Sequence, residues 1–596
     1  MKGFIKSVLA TMVGICIMGS LAFVFTMISL VGMMAAGQEV TEVRDNSVLV
    51  LKLEGTVQDE VEEDITMMFE MLNGEMQVQG LDKMLSAVEK AKNNKDIKGI
   101  YVEAGAVGFD SPATMVALRR ALQDFRKAGK WVMAYGDNMT QSAYYVASAA
   151  EKVYVHPTGS IDLRGLGGNY TYYKGLYDKL GIRFLAARVG KYKSYVEQNT
   201  RTDMSDDDRE QRQAFLSGIW QVMVKDICAS RGLTAEQLNG YVNDSLLIFA
   251  DQADYKRMQL VDGVVYPEQF RAEVKKKMGL KPDKELNKLS VTAMEGVTGD
   301  AEKETGDEVA VYNANGDIVD MSMASITGAR EIVGDDVVSD LESLAKDDDV
   351  KAVVLRVNSN GGSAAASEKM WHAIELLKAK KPVVVSMGGA AASGGYMMSC
   401  GAHYIFAEPV TITGSIGIFG LVPNLSGLLT DKLGVTFDGV QTNRNTTALE
   451  NLTLKKDTER EMQFLQNSVN RGYNRFLKIV ASGRKKTVEQ VHQVAQGRVW
   501  LAPDAVKAGL VDELGTLDDA VKKAAQMAKL KEYHTKRYPE PAPWYMQLVE
   551  QADEKSYIDE ELKTLLGDQY AQWTYLKTLG KRNRIQAVMP YGIEMK

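Results

Sequence analysis

The sequence predicts an α/β protein built from two related units behind an N-terminal transmembrane helix. Three observations carry this: short β-branched runs alternate with amphipathic helical patterns, six segments recur in the same order about 250 residues apart, and residues 7–38 contain no charged side chain. At 596 residues the chain is too long for one core, and about 150 residues per domain would suggest roughly four. The repeat reduces that number to two large units. With 45% apolar and 25% charged residues and a net charge of −7, the chain is globular in composition. It has no polybasic domain, so nucleic-acid binding is not expected. Its three cysteines, Cys16, Cys228 and Cys400, cannot build a disulfide framework or a four-thiolate zinc site. Its five histidines include no pair at ligand spacing, so the chemistry is expected to proceed without zinc and without histidine.

Lys2 and Lys6 precede the uncharged stretch, and Glu39, Glu42 and Asp45 follow it. About 20 apolar residues span a bilayer, whereas the apolar region of a cleaved signal peptide runs to about 7–15, so residues 1–38 read as a cytoplasmic N-terminus and a membrane anchor. The alternative is a cleaved leader, for which Ala35, Ala36 and Gly37 would supply the small residues. The lysines place the N-terminus in the cytoplasm and the remainder outside the membrane.

The repeat pairs VLVLKLEG at 48–55 with VAVYNANG at 309–316, DIKGIYV at 96–102 with DVKAVVL at 349–355, and SAYYVAS at 142–148 with SGGYMMS at 393–399. TGS at 158–160 matches TGS at 413–415, DKLGI at 178–182 matches DKLGV at 431–435, and LVD at 260–262 matches LVD at 510–512. The units run over 39–285 and 308–530, joined by a polar linker at 286–307 and followed by a tail at 531–596 with helical patterning, expected to pack against its neighbours. In the second unit Val353–Val357 reads as a buried strand, 364–378 as a helix with Met370, Ile374 and Leu377 on one face, 381–386 as the next strand, and 396–400 as a helical turn.

The chemistry concentrates in GGAAASGGY at 388–396. A serine between a buried strand and a helix start places its hydroxyl where free backbone N–H groups favour a developing oxyanion. Gly361 and Gly362, in NSNGGS at 358–363, also follow a strand, and their N–H groups could face the same point as that of Gly394. A nucleophilic serine needs a base. Burial can bring a lysine from its ordinary value of about 10.4 toward neutrality, and VGKYKS at 189–194 offers Lys191 and Lys193 without choosing between them.

Taken together, GGAAASGGY, VLRVNSNGGS at 354–363, ITGSIGIFG at 412–420, VGKYKS and GRVWLAPDAVKAGLVDELG at 497–515 resemble the signal peptide peptidase A family in its long, two-repeat form. The resemblance covers nearly the whole chain, the anchor included. It implies two tandem crotonase-like domains, the fold shared with the Clp proteolytic subunit, and a serine/lysine dyad in place of a triad. On this chain's residues the implied nucleophile is Ser393, the base is Lys193 of the YKS motif, and Ser415 of the second TGS hydrogen-bonds the lysine. Gly361, Gly362 and Gly394 are the implied oxyanion-hole residues. One departure is Asn360, where the family usually has proline before the glycine pair; this removes a fixed φ but no reactive group.

The first unit holds Lys193 but has Ala143 and Tyr144 where the second has glycines, which makes Ser142 the poorer nucleophile. The second holds Ser393 but has Thr446 near the position matching Lys193. Each half has kept one member of a dyad. The resemblance further implies a membrane-anchored endopeptidase in the inner membrane, facing the periplasm. Its substrates would be released signal peptides and other flexible apolar peptides, it would need no metal or cofactor, and it would assemble as a homo-oligomer, a tetramer by resemblance. Two other readings stay open: an acyl-CoA enzyme on the same fold, and a membrane scaffold without catalysis.

Overall fold

The computed structural model describes residues 42–61, 78–297, 306–322, 330–540 and 585–588, together with Met18. The expected anchor at 7–38 lies, but for Met18, outside the described residues, among which no helix is long and apolar enough to cross a membrane.

Each unit is organised around a parallel sheet. In the first, strands Ser47–Gln58, Ile97–Phe109, Trp131–Met139 and Lys152–Ile161 lie side by side in chain order, with Val78–Gly80 and Gly263–Val264 at the edges. In the second, Asp307–Asn315, Val350–Ser359, Val383–Ala392 and Tyr404–Ala407 repeat that order. Helices connect the strands, because parallel neighbours need a crossover that returns the chain to the same edge. The strands are buried on both faces, which requires near-continuous apolar runs. Leu49, Leu51 and Leu53 enter the large core of the first unit while Val48 and Val50 join a smaller cluster on the opposite face. Val353, Leu355 and Val357 divide from Ala352 and Val354 in the same way.

The repeat extends to individual hydrogen bonds. Tyr144 donates its hydroxyl to the Leu260 carbonyl at 2.9 Å, and Tyr396 donates to that of Leu510 at 2.9 Å. Asp262 accepts from the Val153 backbone and Arg231, as Asp512 accepts from Ile405 and Arg484.

A third sheet mixes the units. Its order is Glu331–Val333, Asp317–Val319, Gly361–Ser363, Ile585–Val588, Phe419–Asn424 and Arg183–Arg188. The antiparallel pairing of Arg183–Arg188 with Phe419–Asn424 carries the chain that follows residue 188 into the second unit. Two bidentate ion pairs also cross between the units: Arg356 with Asp59 at 2.7 and 2.9 Å, and Arg120 with Glu408 at 2.7 and 2.8 Å.

Three expectations are corrected. The linker at 286–307 is partly structured, since Asn287–Leu289 pairs in parallel with Ser47–Leu49 and Val291–Glu295 is helical. The tail expected to be helical contains, among its described residues, the strands Tyr533–Tyr538 and Ile585–Val588. The strand expected to stop at 386 runs on through the glycines to Ala392, because Ala390–Ala392 pair with Ile412–Gly414.

Candidate active site

Ser393 terminates the strand Val383–Ala392 and caps the short helix Gly394–Ser399. Its backbone has φ 55°, a region that residues other than glycine rarely occupy, and the surroundings over-determine it. Its N–H donates to the Gly414 carbonyl at 2.8 Å, and its carbonyl accepts from the Met397 N–H at 2.8 Å. Ser415 has φ 50° and is fixed by its own N–H, which donates to Arg498 at 2.7 Å.

Lys193 arrives from the other unit. After the strand Arg183–Arg188, the Val189 N–H donates to Ile418 and the Tyr192 N–H to Gln496. Gly497, at φ +80°, lies against the lysine backbone, where a Cβ would stand 2.7 Å from Lys193 N. Glycine is therefore required for this approach. Gln211, fully buried on the helix Asp206–Arg231, donates to the Tyr192 carbonyl at 3.0 Å and to Ser194 Oγ at 3.2 Å. Its own oxygen accepts from the Val499 N–H at 3.2 Å, and Val499 pairs with Gly414, beside Ser415. Asp208 accepts from Ser194 Oγ at 2.6 Å and from Arg212 at 2.7 Å, which completes the support under the lysine's loop.

The structure brings the expected trio together within one chain. Lys193 Nζ stands 2.7 Å from Ser393 Oγ, 3.1 Å from Ser415 Oγ and 3.2 Å from the Ser415 carbonyl oxygen. Lys193 and both serines have no exposed surface. Desolvation by burial pushes the Lys193 amine well below the ordinary lysine value. A neutral amine has two N–H donors and one lone pair, and the three contacts match that inventory. The Ser415 carbonyl and hydroxyl oxygens accept the two N–H groups, which leaves the lone pair for the Ser393 hydroxyl proton. Lys191 is exposed and pairs with Asp207 at 3.0 Å, so it is not the buried lysine.

Of the expected oxyanion residues, Gly361 is engaged, because its N–H donates to Ser359 Oγ at 3.1 Å, which in turn donates to the Gly316 carbonyl at 2.6 Å. Gly362 and Gly394 approach each other: a Cβ on Gly394 would lie 3.2 Å from Gly362 N. Gly361, at φ +101°, supplies the turn that makes this possible. Asn360 precedes it, with the turn held by Ser359. Ser142 is buried with no hydrogen-bond partner for its Oγ among the described residues, and Thr446 is exposed and bonds to Asn443 within its own loop, so the first unit's serine is not matched by a site like that of Ser393 among the described residues. His403 accepts from the Val383 N–H, a structural role. Gln211, Asp208 and the strand Ile585–Val588 were not foreseen.

The profile of peptidase family S49 matches residues 124–281 and 375–531, and that of Clp protease matches 315–409. Protease 4 of Salmonella typhi is 38% identical over 471 residues, which cover 78% of this chain and 74% of that protein. Protease 4 of Haemophilus influenzae is 34% identical over 526 residues, 85% of this chain and 83% of that one. The chloroplastic serine protease SPPA of Arabidopsis thaliana is 28% identical over 492 residues, 82% and 70% of the two chains.

Proposed function

This chain belongs to peptidase family S49 and is a serine protease, and from that premise we propose that it cleaves peptides through Ser393 as nucleophile and Lys193 as general base. The observation that carries the reading is the 2.7 Å approach of a desolvated lysine to a serine hydroxyl at a strand-to-helix turn. Neutral Lys193 accepts the Ser393 proton as Oγ attacks the substrate carbonyl. The N–H groups of Gly362 and Gly394 receive the oxyanion, the protonated lysine passes its proton to the departing amine, and water hydrolyses the acyl-enzyme. Ser415 keeps the amine's two N–H groups occupied so that its lone pair faces Ser393.

The substrates are released signal peptides and other flexible apolar peptides. Their apolarity partitions them into the membrane in which residues 7–38 anchor the enzyme, with the two units on the periplasmic face. The assembly is a homo-oligomer. A serine-directed fluorophosphonate, applied to wild type and to Ser393→Ala, tests the central step. Labelling and hydrolysis of an apolar peptide should both vanish in the variant, and labelling that persists would sink the assignment.

A further inference from the structure

GRVW at 497–500 supplies none of the reacting groups, yet each of its residues meets a segment that holds the dyad. Gly497 lies on the Lys193 backbone, and its N–H donates to the Ile416 carbonyl at 2.8 Å. Val499 and Trp500 pair with Gly414 and Thr413, in the strand that runs into Ser415. Arg498 reaches to both sides of the amine with two different groups. Its carbonyl accepts the Ser415 N–H at 2.7 Å, and its guanidinium donates to the hydroxyl of Tyr192, the residue before Lys193, at 3.0 Å.

The guanidinium lies 4.9 Å from the centre of the Tyr192 ring and 4.6 Å from that of Trp500, and it pairs with Glu210 at 3.2 Å. The Tyr192 hydroxyl also stands 3.4 Å from both Glu210 carboxylate oxygens. Tyr192 and Glu210 belong to the first unit, Arg498 and Trp500 to the second. Glu210 is 52% exposed, so its ion pair adds little. Tyr192 is buried, and the ring contacts and the hydroxyl bond, sheltered from water, carry the attachment. A flat, delocalised cation can stack on rings while its N–H groups reach a hydroxyl and a carboxylate in fixed directions, which an ammonium cannot. The charges around the lysine's loop are otherwise matched in pairs: Arg188 with Glu197, Lys191 with Asp207, and Arg212 with Asp208. Burial, not a neighbouring charge, therefore lowers the Lys193 amine, and burial depends on how closely the loop meets the Ser415 turn.

We propose that Arg498 is the positioning residue of the dyad: it clamps Tyr192 of one unit to the Ser415 turn of the other and so fixes the Lys193 amine against its two acceptor oxygens. The inference rests on the Ser393 and Lys193 assignment above. Main-chain bonds already hold Tyr192 from two sides, through Gln496 at 3.1 Å and Gln211 at 3.0 Å. These set the path of the loop, whereas the Arg498 clamp sets its distance from Ser415, since one residue holds both ends. When the clamp is released, the loop withdraws, water reaches the amine, and its value climbs back toward that of an ordinary lysine. The fraction of neutral Lys193 then falls at every pH below that value, and hydrolysis falls with it. The clamp acts on the amine, so KM does not change.

The test uses the full chain as wild type, Arg498→Lys, Tyr192→Phe, Arg498→Met and Ser393→Ala. Arg498→Lys and Tyr192→Phe keep every charge, so they separate the clamp from the field of the guanidinium. Tyr192→Phe also keeps the ring and preserves the measurement should an Arg498 variant fail to fold. The readout is the pH dependence of kcat and KM on an apolar peptide, with Tm alongside. For Arg498→Lys the acid limb of kcat should move up by about one pH unit, which lowers kcat about tenfold at pH values below it, with KM unchanged. Tyr192→Phe should move the limb the same way by about half a unit. A limb unmoved in either of these two variants overturns the positioning role, even where Tm falls or Arg498→Met moves the limb, because the effect is then structural or purely one of charge. That outcome leaves the dyad standing so long as Ser393→Ala abolishes hydrolysis. Hydrolysis that survives Ser393→Ala overturns the dyad, and the positioning role with it.

Discussion

Lys193 Nζ lies 2.7 Å from Ser393 Oγ although 200 positions separate the residues and each belongs to a different repeat. Neither half places a serine and a lysine together at these positions alone: the first unit's Ser142 is sealed in the core and the second unit has Thr446, exposed on a loop, near the position matching Lys193. The junction that unites them is the antiparallel pairing of Arg183–Arg188 with Phe419–Asn424, so the proposed dyad depends on the docking of the two units as much as on the two side chains.

The lysine's burial has opposite consequences for activity and stability. Peptide hydrolysis should rise as pH climbs through the depressed Lys193 value, because only the neutral amine accepts a proton. For stability the folded value lies below the unfolded one, so between the two the unfolded chain binds more protons and folding is penalised. The penalty is absent above the unfolded value, grows as pH falls from there, and is complete below the folded value. Lys193→Met should therefore lose about 10³-fold or more in kcat yet melt at a higher temperature than wild type at neutral pH. Each unit of depression is worth about 1.4 kcal/mol. A Tm difference that stays flat from pH 6 to pH 10 would contradict the buried neutral lysine.

Ser415→Ala removes the hydroxyl acceptor at 3.1 Å but leaves the carbonyl at 3.2 Å. One donor of the amine then lacks a partner, and the lone pair is no longer directed at Ser393 alone. The loss of one such bond, about 1–2 kcal/mol, predicts a fall in kcat of roughly 5- to 30-fold with KM little changed. Steady-state kinetics on an apolar peptide would check this, and an equal rise in KM would argue that Ser415 serves substrate binding instead.

The repeat and the parallel sheets were legible because each leaves a local mark, a recurring segment or a β-branched run; Ser393 has the mark of a glycine-flanked serine, whereas Lys193 and Ser415, which the structure places beside it, were named through the resemblance. What escaped depends on pairing across long separations. YHTKRY at 533–538 has no apolar run, yet it forms a strand by completing the edge beside Asp307–Tyr312. Gln211 sits among acidic and polar residues at the start of a helix, and nothing in that stretch marks it as buried. The engagement of the Gly361 N–H by Ser359, a side chain two residues away, carries no sequence cue either.

Gln211 connects the lysine's loop to the strand beside Ser415 without touching either reacting atom. Gln211→Leu keeps the size and removes the hydrogen bonds to Tyr192, Ser194 and Val499, which should let Lys193 drift while substrate binding is preserved. A kcat lower by about tenfold, an unchanged KM and a shifted pH profile are expected, since a 1 Å misplacement costs catalysis heavily. A variant whose Tm falls with its pH profile unmoved would show a purely structural role.

The inter-unit ion pair of Asp59 with Arg356 is a second tie between the two units. Burial alone would raise the Asp59 carboxyl, but the guanidinium more than offsets it and holds the acid below its ordinary value. Its folded value is thus depressed, so its contribution is present above the unfolded value and is lost as pH falls toward the folded one. Asp59→Ala leaves a nearly buried guanidinium without its carboxylate, at a cost of about 3–5 kcal/mol. Arg356 also donates to Ser386 at 3.0 Å, in the strand that leads to Ser393. Asp59→Ala should therefore lower both the urea midpoint and kcat, whereas the paired change Asp59→Leu with Arg356→Met, which removes both charges, should recover most of the stability. A double-mutant cycle gives the coupling directly, and a coupling near zero would mean that the pair plays no part in joining the two units.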